Sequence, residues 1–417
     1  MIKEIGFTNW KSFRDARLYI DPLTIIIGTN ASGKSNALDG IEFLSRVSRG
    51  QSISAALLGD PPQTPIRGGV EWAAFRPGAD SFRLSALVQG EAESIDYVYS
   101  IEVEVSPSLQ LRAESLVRRK FRTPNSRPST ISMFSCSHSP GGELFTTAKL
   151  HRGAPISVSR TMSILSQLRG FKLPQAVETA VATVSTALGG AFIFHPVPAR
   201  MRIYSPLADA LAPDASNIAG VLAALPPERK TEIESIVSRY ATELPDKDVG
   251  RVWAEPVGRL ESDAMLYCEE RWAKDSKPTI VDARGMSEGT LRFVAIVTAL
   301  LTRPEGGLVV VEEIDNGLHP SRARLLLRML REIGGTRNID IVLTTHNPAL
   351  LDALGPELLP FIVTVHRDEV EGDSRITPLE NLDELPKLLA AGRVGQLATS
   401  GALDHALARQ SAKGRSR

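Results

Sequence analysis

Cysteine is nearly absent: the 417-residue chain holds only Cys136 and Cys268, with no second ligand at metal-site spacing. That usage implies a reducing compartment more than a disulfide framework. An excess of one charge is also missing. Lys+Arg and Asp+Glu number 48 each, which removes any global electrostatic case for nucleic acid or an anionic membrane and leaves only local patches. No apolar run is long enough to span a bilayer; the longest soft stretch, TAVATVSTALGGAFIF (179–194), is short and rich in Ala, Thr and Ser. The opening MIKEIGFTNW lacks a basic-then-apolar leader pattern. Tandem repeats of fixed period are not visible, and the lack of sustained heptads excludes a long coiled coil. The expectation is a cytoplasmic protein with no membrane partner. At 42% hydrophobic and 23% charged residues it reads as globular, in one large split domain or two.

What is present begins with IKEIGFTNWKSFRDARLYI, whose loose alternation reads as two strands joined near Lys11 and Ser12. LTIIIG (23–28) is apolar on both faces, as a buried central strand is. KSNALDGIEFLSRV then sets Ala37, Leu38, Ile41, Leu44 and Val47 at helical spacing. Residues 68–122 read as antiparallel strands: GVEWAAF, SFRLSALVQG, SIDYVYSIEVEV and LQLRAESLVRRKF. The Ser-, Pro- and Gly-rich stretch 123–160 suggests loop or weak hairpin. From 160 to 280 the pattern is mixed and mainly helical, clearest in ASNIAGVLAAL and in ERKTEIESIVSRYATEL, which Pro226 and Pro227 start. Beyond 285, helix and strand patterns alternate through SEGTLRFVAIVTALL, GLVVVEEI, SRARLLLRMLREIG, DIVLTTH and ELLPFIVTVHRDE. The expected divisions are an N-terminal lobe at 1–150, a mainly helical insertion at 151–280, a C-terminal lobe at 281–370 and a tail at 371–417. The closing SAKGRSR reads as disordered.

Gly28-Thr29-Asn30-Ala31-Ser32-Gly33-Lys34-Ser35-Asn36 matches the phosphate-loop pattern G-x4-GK[ST], between a buried strand and an amphipathic helix. Its glycines let backbone N–H groups curl around a β-phosphate, and the helix offers its positive end. Lys34 would reach the β and γ oxygens, and Ser35 would ligate Mg²⁺. Ala31 stands where Gly is frequent, which its small side chain tolerates at a negative φ. A second strand, GLVVVEEIDNGLHP, ends in Glu312 and Glu313. Adjacent strand residues face opposite sides, so Glu312 can serve the metal while Glu313 acts on a water as general base or positioner. His346 in VLTTHNPALLD follows two small hydroxyl residues, and its imidazole can donate to a γ-phosphate oxygen. Ser287, Glu288 and Gly289 open a helix, where a hydroxyl and bare amides suit a phosphate.

Taken together, GTNASGKSN, SEGT, VVVEEIDNGLHP and TTHNP resemble the heads of ABC-type ATPases. They are most similar to the AAA-labelled class that includes RecF, the structural-maintenance-of-chromosomes (SMC) proteins and the overcoming-lysogenization-defect proteins. NWKSFRDARLYIDPLTIIIG is similar to that class's N-F-x-S-F entry, and the resemblance covers about 1–120 and 280–365 directly. It implies an α/β fold: a P-loop NTPase of the ABC-ATPase head type, with a mixed sheet, an N-terminal antiparallel β subdomain and a helical insertion. It also implies ATP and Mg²⁺ as cofactors, with Lys34, Glu313 and His346 as catalytic groups and Ser35 and Glu312 on the metal. Two heads would dimerise head to tail, so that Ser287 and Gly289 act in trans. Asp315 and Asn316 would form the D-loop.

The signature departs from the L-S-G-G-Q of transporters, and Glu312 stands where Asp is more usual. Gln89 and Gln167 both remain open as the Q-loop residue, and Lys11 and Arg14 are open as phosphate or adenine contacts or as solvated turn residues. Relatives often carry a TOPRIM nuclease after the head, which needs an Asp-x-Asp pair; none occurs in residues 347–417. The leading expectation is an ATPase that switches or scaffolds a separate effector, such as a nuclease, in antiphage defence or DNA maintenance. The alternative is a DNA-repair head that clamps DNA directly, through RRKFR (118–122) with Arg112 and Arg127.

Overall fold

The structure is a computed structural model that describes residues 1–60, 63–123, 126–138, 144–244, 249–271, 277–316 and 319–415. In chain order the first elements are β1 (Ile2–Trp10), β2 (Phe13–Tyr19), β3 (Leu23–Ile27), α1 (Lys34–Ser48), α2 (Ile53–Leu58), β4 (Ser81–Gln89), β5 (Ile95–Glu104) and β6 (Gln110–Lys120). Next come β7 (Ser129–Ser137), β8 (Phe145–Leu150), β9 (Ile156–Ser159), α3 (Ile164–Gln167), α4 (Gln175–Gly189), β10 (Phe192–Phe194), β11 (Ser205–Pro206), α5 (Ile218–Ala224) and α6 (Pro227–Thr242). The remainder is β12 (Val249–Val257), β13 (Asp263–Glu270), β14 (Thr279–Asp282), α7 (Glu288–Thr302), β15 (Leu308–Val311), α8 (Ala323–Arg337) and β16 (Asp340–Thr344). After these follow α9 (Pro348–Asp352), β17 (Ile362–Arg367), β18 (Ser374–Pro378), α10 (Leu385–Ala391), α11 (Val394–Thr399) and α12 (Ala402–Arg415). Among the described residues no helix is long and apolar enough to cross a membrane.

Two units divide the chain: Met1–Ala191 with Ile362–Asp383 and Asp404–Arg417, and Phe192–Phe361 with Glu384–Leu403. The first holds an antiparallel sheet in the order β2-β1-β4-β5-β6-β7-β8-β9. GVEWAAF is not one of its strands. Gly68 and Gly69 take φ of 80° and 52°, which curls the stretch into turns and leaves only a bridge from Ala74 to Trp10. The Ser-rich stretch after 123, by contrast, supplies β7, β8 and β9, because Met133, Phe134, Ala148 and Val158 give those strands a buried side.

In the same unit β3 is buried along its whole length and pairs in parallel with β17, which pairs antiparallel with β18. Helix α1 is pinned by aromatic packing. Trp10 of β1 lies 4.7 Å from Phe82 and 5.9 Å from Phe43, ring centre to ring centre. Its indole Nε1 donates to the Asn36 carbonyl at 2.7 Å. Burial of each phenylalanine ring contributes about 1.5–3 kcal/mol, so the start of α1 is held firmly behind the loop that precedes it.

The second unit holds the parallel strands β10, β15 and β16, and an antiparallel sheet of β11, β13 and β12 with β14 beside β13. Residues 151–280, read from sequence as mainly helical, therefore also carry β9 to β13. Helices α5 and α6 pack on β12, and α6 packs on α7. In α7 every residue from Gly289 to Leu301 is buried, as an all-round apolar helix must be. The closing SAKGRSR is not a loose tail: α12 runs on to Arg415, and Leu403, Ala406 and Leu407 bury one face at helical spacing. Ser416 and Arg417 lie outside the described residues.

Candidate active site

The sequence-expected site residues fall on both units. In the first, the loop from Gly28 to Gly33 leaves β3 and enters α1. Gly28 and Gly33 take φ of 152° and 115°. A Cβ at Gly28 would stand 2.1 Å from the Val365 carbonyl oxygen, and one at Gly33 would stand 2.6 Å from Ser374 Oγ, so both positions require glycine. Ala31 departs from expectation: its φ is +62°, in the left-handed region. Alternating right- and left-handed residues turn successive N–H groups to one side, the arrangement that receives an anion. Ala31 itself is exposed. Thr29 and Asn30 are also exposed, at the loop tip.

The loop fits the phosphates of a nucleotide on three counts. Helix α1 begins at Gly33 with no side-chain cap and no acidic residue in its first turn, so its positive end is left for an outside anion. Lys34 Nζ is folded back on the loop, donating to the carbonyls of Gly28 at 2.7 Å and Thr29 at 2.9 Å. Ser32 Oγ is buried with no hydrogen-bond partner among the described residues. Behind the loop, Ser374 Oγ donates toward the Ser32 carbonyl at 2.5 Å, while Asn36 Nδ2 donates to Ser12 Oγ at 2.7 Å. Ser35 sits half-buried in the first turn of α1.

Lys11 is neither a phosphate ligand nor a solvated turn residue. Its side chain is buried, its ammonium is bonded to Asp39 of α1, and it also donates to the Arg67 carbonyl at 2.6 Å. Burial pulls its pKa below the ordinary lysine value against the pull of Asp39. Arg14 lies 5.2 Å from the Phe75 ring centre and 3.8 Å from Glu371. Gln167 is occupied in its own turn, accepting from Ser159 N at 2.8 Å and donating to the Ser159 carbonyl at 2.9 Å. Gln89 closes β4, opposite Asp96.

In the second unit β15 ends at Val311, so Glu312 and Glu313 do not alternate across a strand as expected. Both lie in the turn that follows, and Glu313 has φ +48°. The cause is β16. Glu313 N donates to Thr344 Oγ1 at 2.8 Å and Ile314 N donates to the Thr344 carbonyl at 3.1 Å, which draws the chain out of its strand path. A left-handed non-glycine residue stores about 1–2 kcal/mol and persists only where its surroundings enforce it. Asn316 Nδ2 donates to Glu313 Oε2 at 3.5 Å, and Asp315 is buried with Oδ1 unpartnered among the described residues. Gly317 and Leu318 of NGLHP lie outside the described residues. His346 is exposed two residues beyond β16, and Asn347 caps α9 by accepting from Ala349 N at 2.9 Å.

Ser287 is the N-cap of α7, accepting from Thr290 N at 3.1 Å and sharing a 2.8 Å hydroxyl contact with Thr290. Ser287 and Glu288 are exposed, whereas Gly289 is buried. Sequence reasoning missed Arg292, the one charged residue in the buried run 289–301, although a lone charge in an apolar helix was the available signal. Glu313, Asp315 and Glu288 all attract its guanidinium.

Two family profiles match the chain. "AAA ATPase domain" covers residues 1–110 and "AAA domain, putative AbiEii toxin, Type IV TA system" covers 190–352, most of the second unit's main stretch. A crystal structure of the SmcHead bound to the C-winged helix domain of ScpA aligns with a TM-score of 0.50 at 13% identity, covering 90% of this chain and 96% of that one. The chain is an ATPase that carries AAA-type domains on the fold of an SMC head. The expected α/β P-loop fold with mixed sheets is therefore the fold of this ATPase. A 55-residue stretch of the ATPase is 46% identical to the chromosome partition protein Smc of Methanococcus voltae. That alignment spans 13% of this chain and 5% of the partition protein's length.

Proposed function

We propose that two copies of this ATPase pair head to tail around bound ATP and that the pairing switches a separate effector protein, such as a nuclease, in antiphage defence or DNA maintenance. The observation that carries this reading is the exposure of Ser287 and Glu288 at the start of a helix that is otherwise buried. Only the positive end of α7 is within reach of an anion from outside, and a phosphate held by a second copy is such an anion. ATP with Mg²⁺ supplies a γ-phosphoryl group that can be transferred to water. On the chain's side, the loop amides and Lys34 hold the β and γ oxygens, and Ser35 and Glu312 are the metal-side groups. Glu313 orients and deprotonates the water, His346 donates to a γ oxygen, and Ser287 and Gly289 act in trans on the second copy's nucleotide. Asp315 and Asn316 form the D-loop of the pair.

Glu313→Gln tests the reading by ATPase assay and light scattering. It is expected to slow turnover by at least about 100-fold and to accumulate an ATP-dependent dimer; unchanged hydrolysis removes Glu313 from its role. Ser287→Arg is expected to abolish hydrolysis while the monomer still binds ATP, and equal loss of binding sinks the in-trans arrangement. The direct DNA-clamp reading is favoured by one observation: Arg118, Arg119 and Lys120 at the end of β6 carry no salt bridge among the described residues. Salt-sensitive DNA binding that disappears when all three become Glu would support it.

A further inference from the structure

Arg292 is buried in the middle of an apolar run, with Nη1 unpartnered among the described residues. A buried guanidinium without hydrogen bonds is unstable by several kcal/mol unless charge compensates it. Compensation comes from three carboxylates, Glu313 first, then Asp315 and Glu288, although burial still pulls its pKa below the ordinary arginine value. Asp315, 8% exposed, carries the matching deficit, a buried Oδ1 with no partner among the described residues. A spare donor on the signature helix thus accompanies a spare acceptor on the turn that holds Glu313.

We propose that Arg292 is a positioning residue that couples the start of α7 to the acidic turn of the same subunit, holding Glu313 by charge and taking Asp315 as its hydrogen-bond partner when Ser287 is engaged. The helix is rigid and closely packed on all sides, so a displacement at Ser287 is carried along it to Arg292, five residues on. Glu288, in the first turn of α7, travels with the arginine and supplies part of its compensating charge. This inference rests on the reading of Glu313 as the group that acts on water.

The test uses the full chain with Arg292→Met, Arg292→Lys, Asp315→Asn and the paired variants, read as kcat and KM for ATP beside an equilibrium ATP titration. Arg292→Met is expected to lower kcat by about tenfold or more while KM and ATP affinity move less than about threefold, the signature of an interaction made after binding. Arg292→Lys keeps the charge and loses the fork, so it is expected to recover part of kcat. Asp315→Asn placed on either variant is expected to add little, because the two residues act as one unit. A wild-type kcat in Arg292→Met, a kcat loss matched by lost ATP affinity, or additive effects of the two sites each overturn the proposal. Should Arg292→Met unfold at the assay temperature, the Arg292→Lys and Asp315→Asn cycle decides by the same additivity criterion. Glu313→Gln is measured in parallel: unchanged turnover there discards the reading of Glu313, whereas lost turnover with an additive cycle discards the role of Arg292 alone.

Discussion

The N–H of Glu313 donates to the side-chain oxygen of Thr344 at 2.8 Å, so the strand leading to His346 also sets the conformation of the acidic turn. Glu313 is held at φ +48° by that bond and by the neighbouring one from Ile314 N to the Thr344 carbonyl. The direction of the proposed water-activating carboxylate therefore depends on a buried hydroxyl in the next strand.

Thr344→Val keeps the shape and removes the acceptor, leaving the Glu313 N–H without its partner. Stability is expected to fall by about 1–3 kcal/mol, and kcat about tenfold at nearly constant KM, as Glu313 drifts. Thr344→Ser is expected to restore both. Denaturant titration and steady-state kinetics of the pair check this, and a Val variant with wild-type kcat would separate the turn from the chemistry.

Ala31→Gly is expected to stabilise the protein. The left-handed conformation at φ +62° strains an alanine by about 1–2 kcal/mol, of which the greater unfolded-state freedom of glycine takes back about 0.5–1 kcal/mol. A β-branched residue there is expected to shift the urea midpoint the opposite way, so Ala31→Val and Ala31→Gly should bracket the wild type.

Lys11→Met is expected to destabilise without touching nucleotide affinity. It leaves the buried Asp39 carboxylate with Arg67 as its remaining cation, at 2.8 Å; loss of one partner of a buried pair costs about 3–5 kcal/mol, of which the Arg67 bond offsets part. ATP titration should stay within about threefold of wild type; a large loss of affinity would reinstate Lys11 as a nucleotide contact.

Glu114 gives the fold a pH dependence of unusual sign. Its wholly buried carboxyl accepts from Tyr99 Oη at 2.9 Å, Ser163 Oγ at 2.8 Å, Ile164 N at 2.6 Å and Leu165 N at 2.9 Å. Burial nonetheless pushes its pKa up to about 7, against the pull of those donors. The folded state thus binds this proton more tightly than the unfolded chain, whose glutamates titrate near about 4.3. The associated stability is fully present below about pH 4 and is lost as pH rises through about 7, amounting to about 3 kcal/mol. Urea midpoints measured between pH 4 and 8 for the wild type and Glu114→Gln should diverge by that slope, and parallel curves would exclude Glu114 as its source.

Much of the nucleotide half was legible because its signal is local. The spacing of Gly28, Gly33, Lys34 and Ser35 encodes a loop that folds on itself within a few residues, and the apolar runs before and after it specify β3 and α1. The helix opened by Ser287 was legible for the same reason, since an N-cap hydroxyl and an uninterrupted apolar stretch are properties of adjacent residues. The strands after residue 123 escaped because turn-forming residues there outnumber the apolar ones that line a single buried side.

By itself the sequence determined the strand–loop–helix of the phosphate site, the alternation of β15, α8 and β16, and the order in which Ser287, Glu312, Glu313 and His346 follow along the chain. Tertiary structure alone decided that Lys11 is spent on Asp39, that Thr344 twists Glu313 out of its strand path, and that Arg292 is buried in an otherwise apolar helix. The division has one physical reason. Periodicity and turn chemistry act between near neighbours, whereas a hydrogen bond from residue 313 to residue 344 exists only once packing has closed the distance between them.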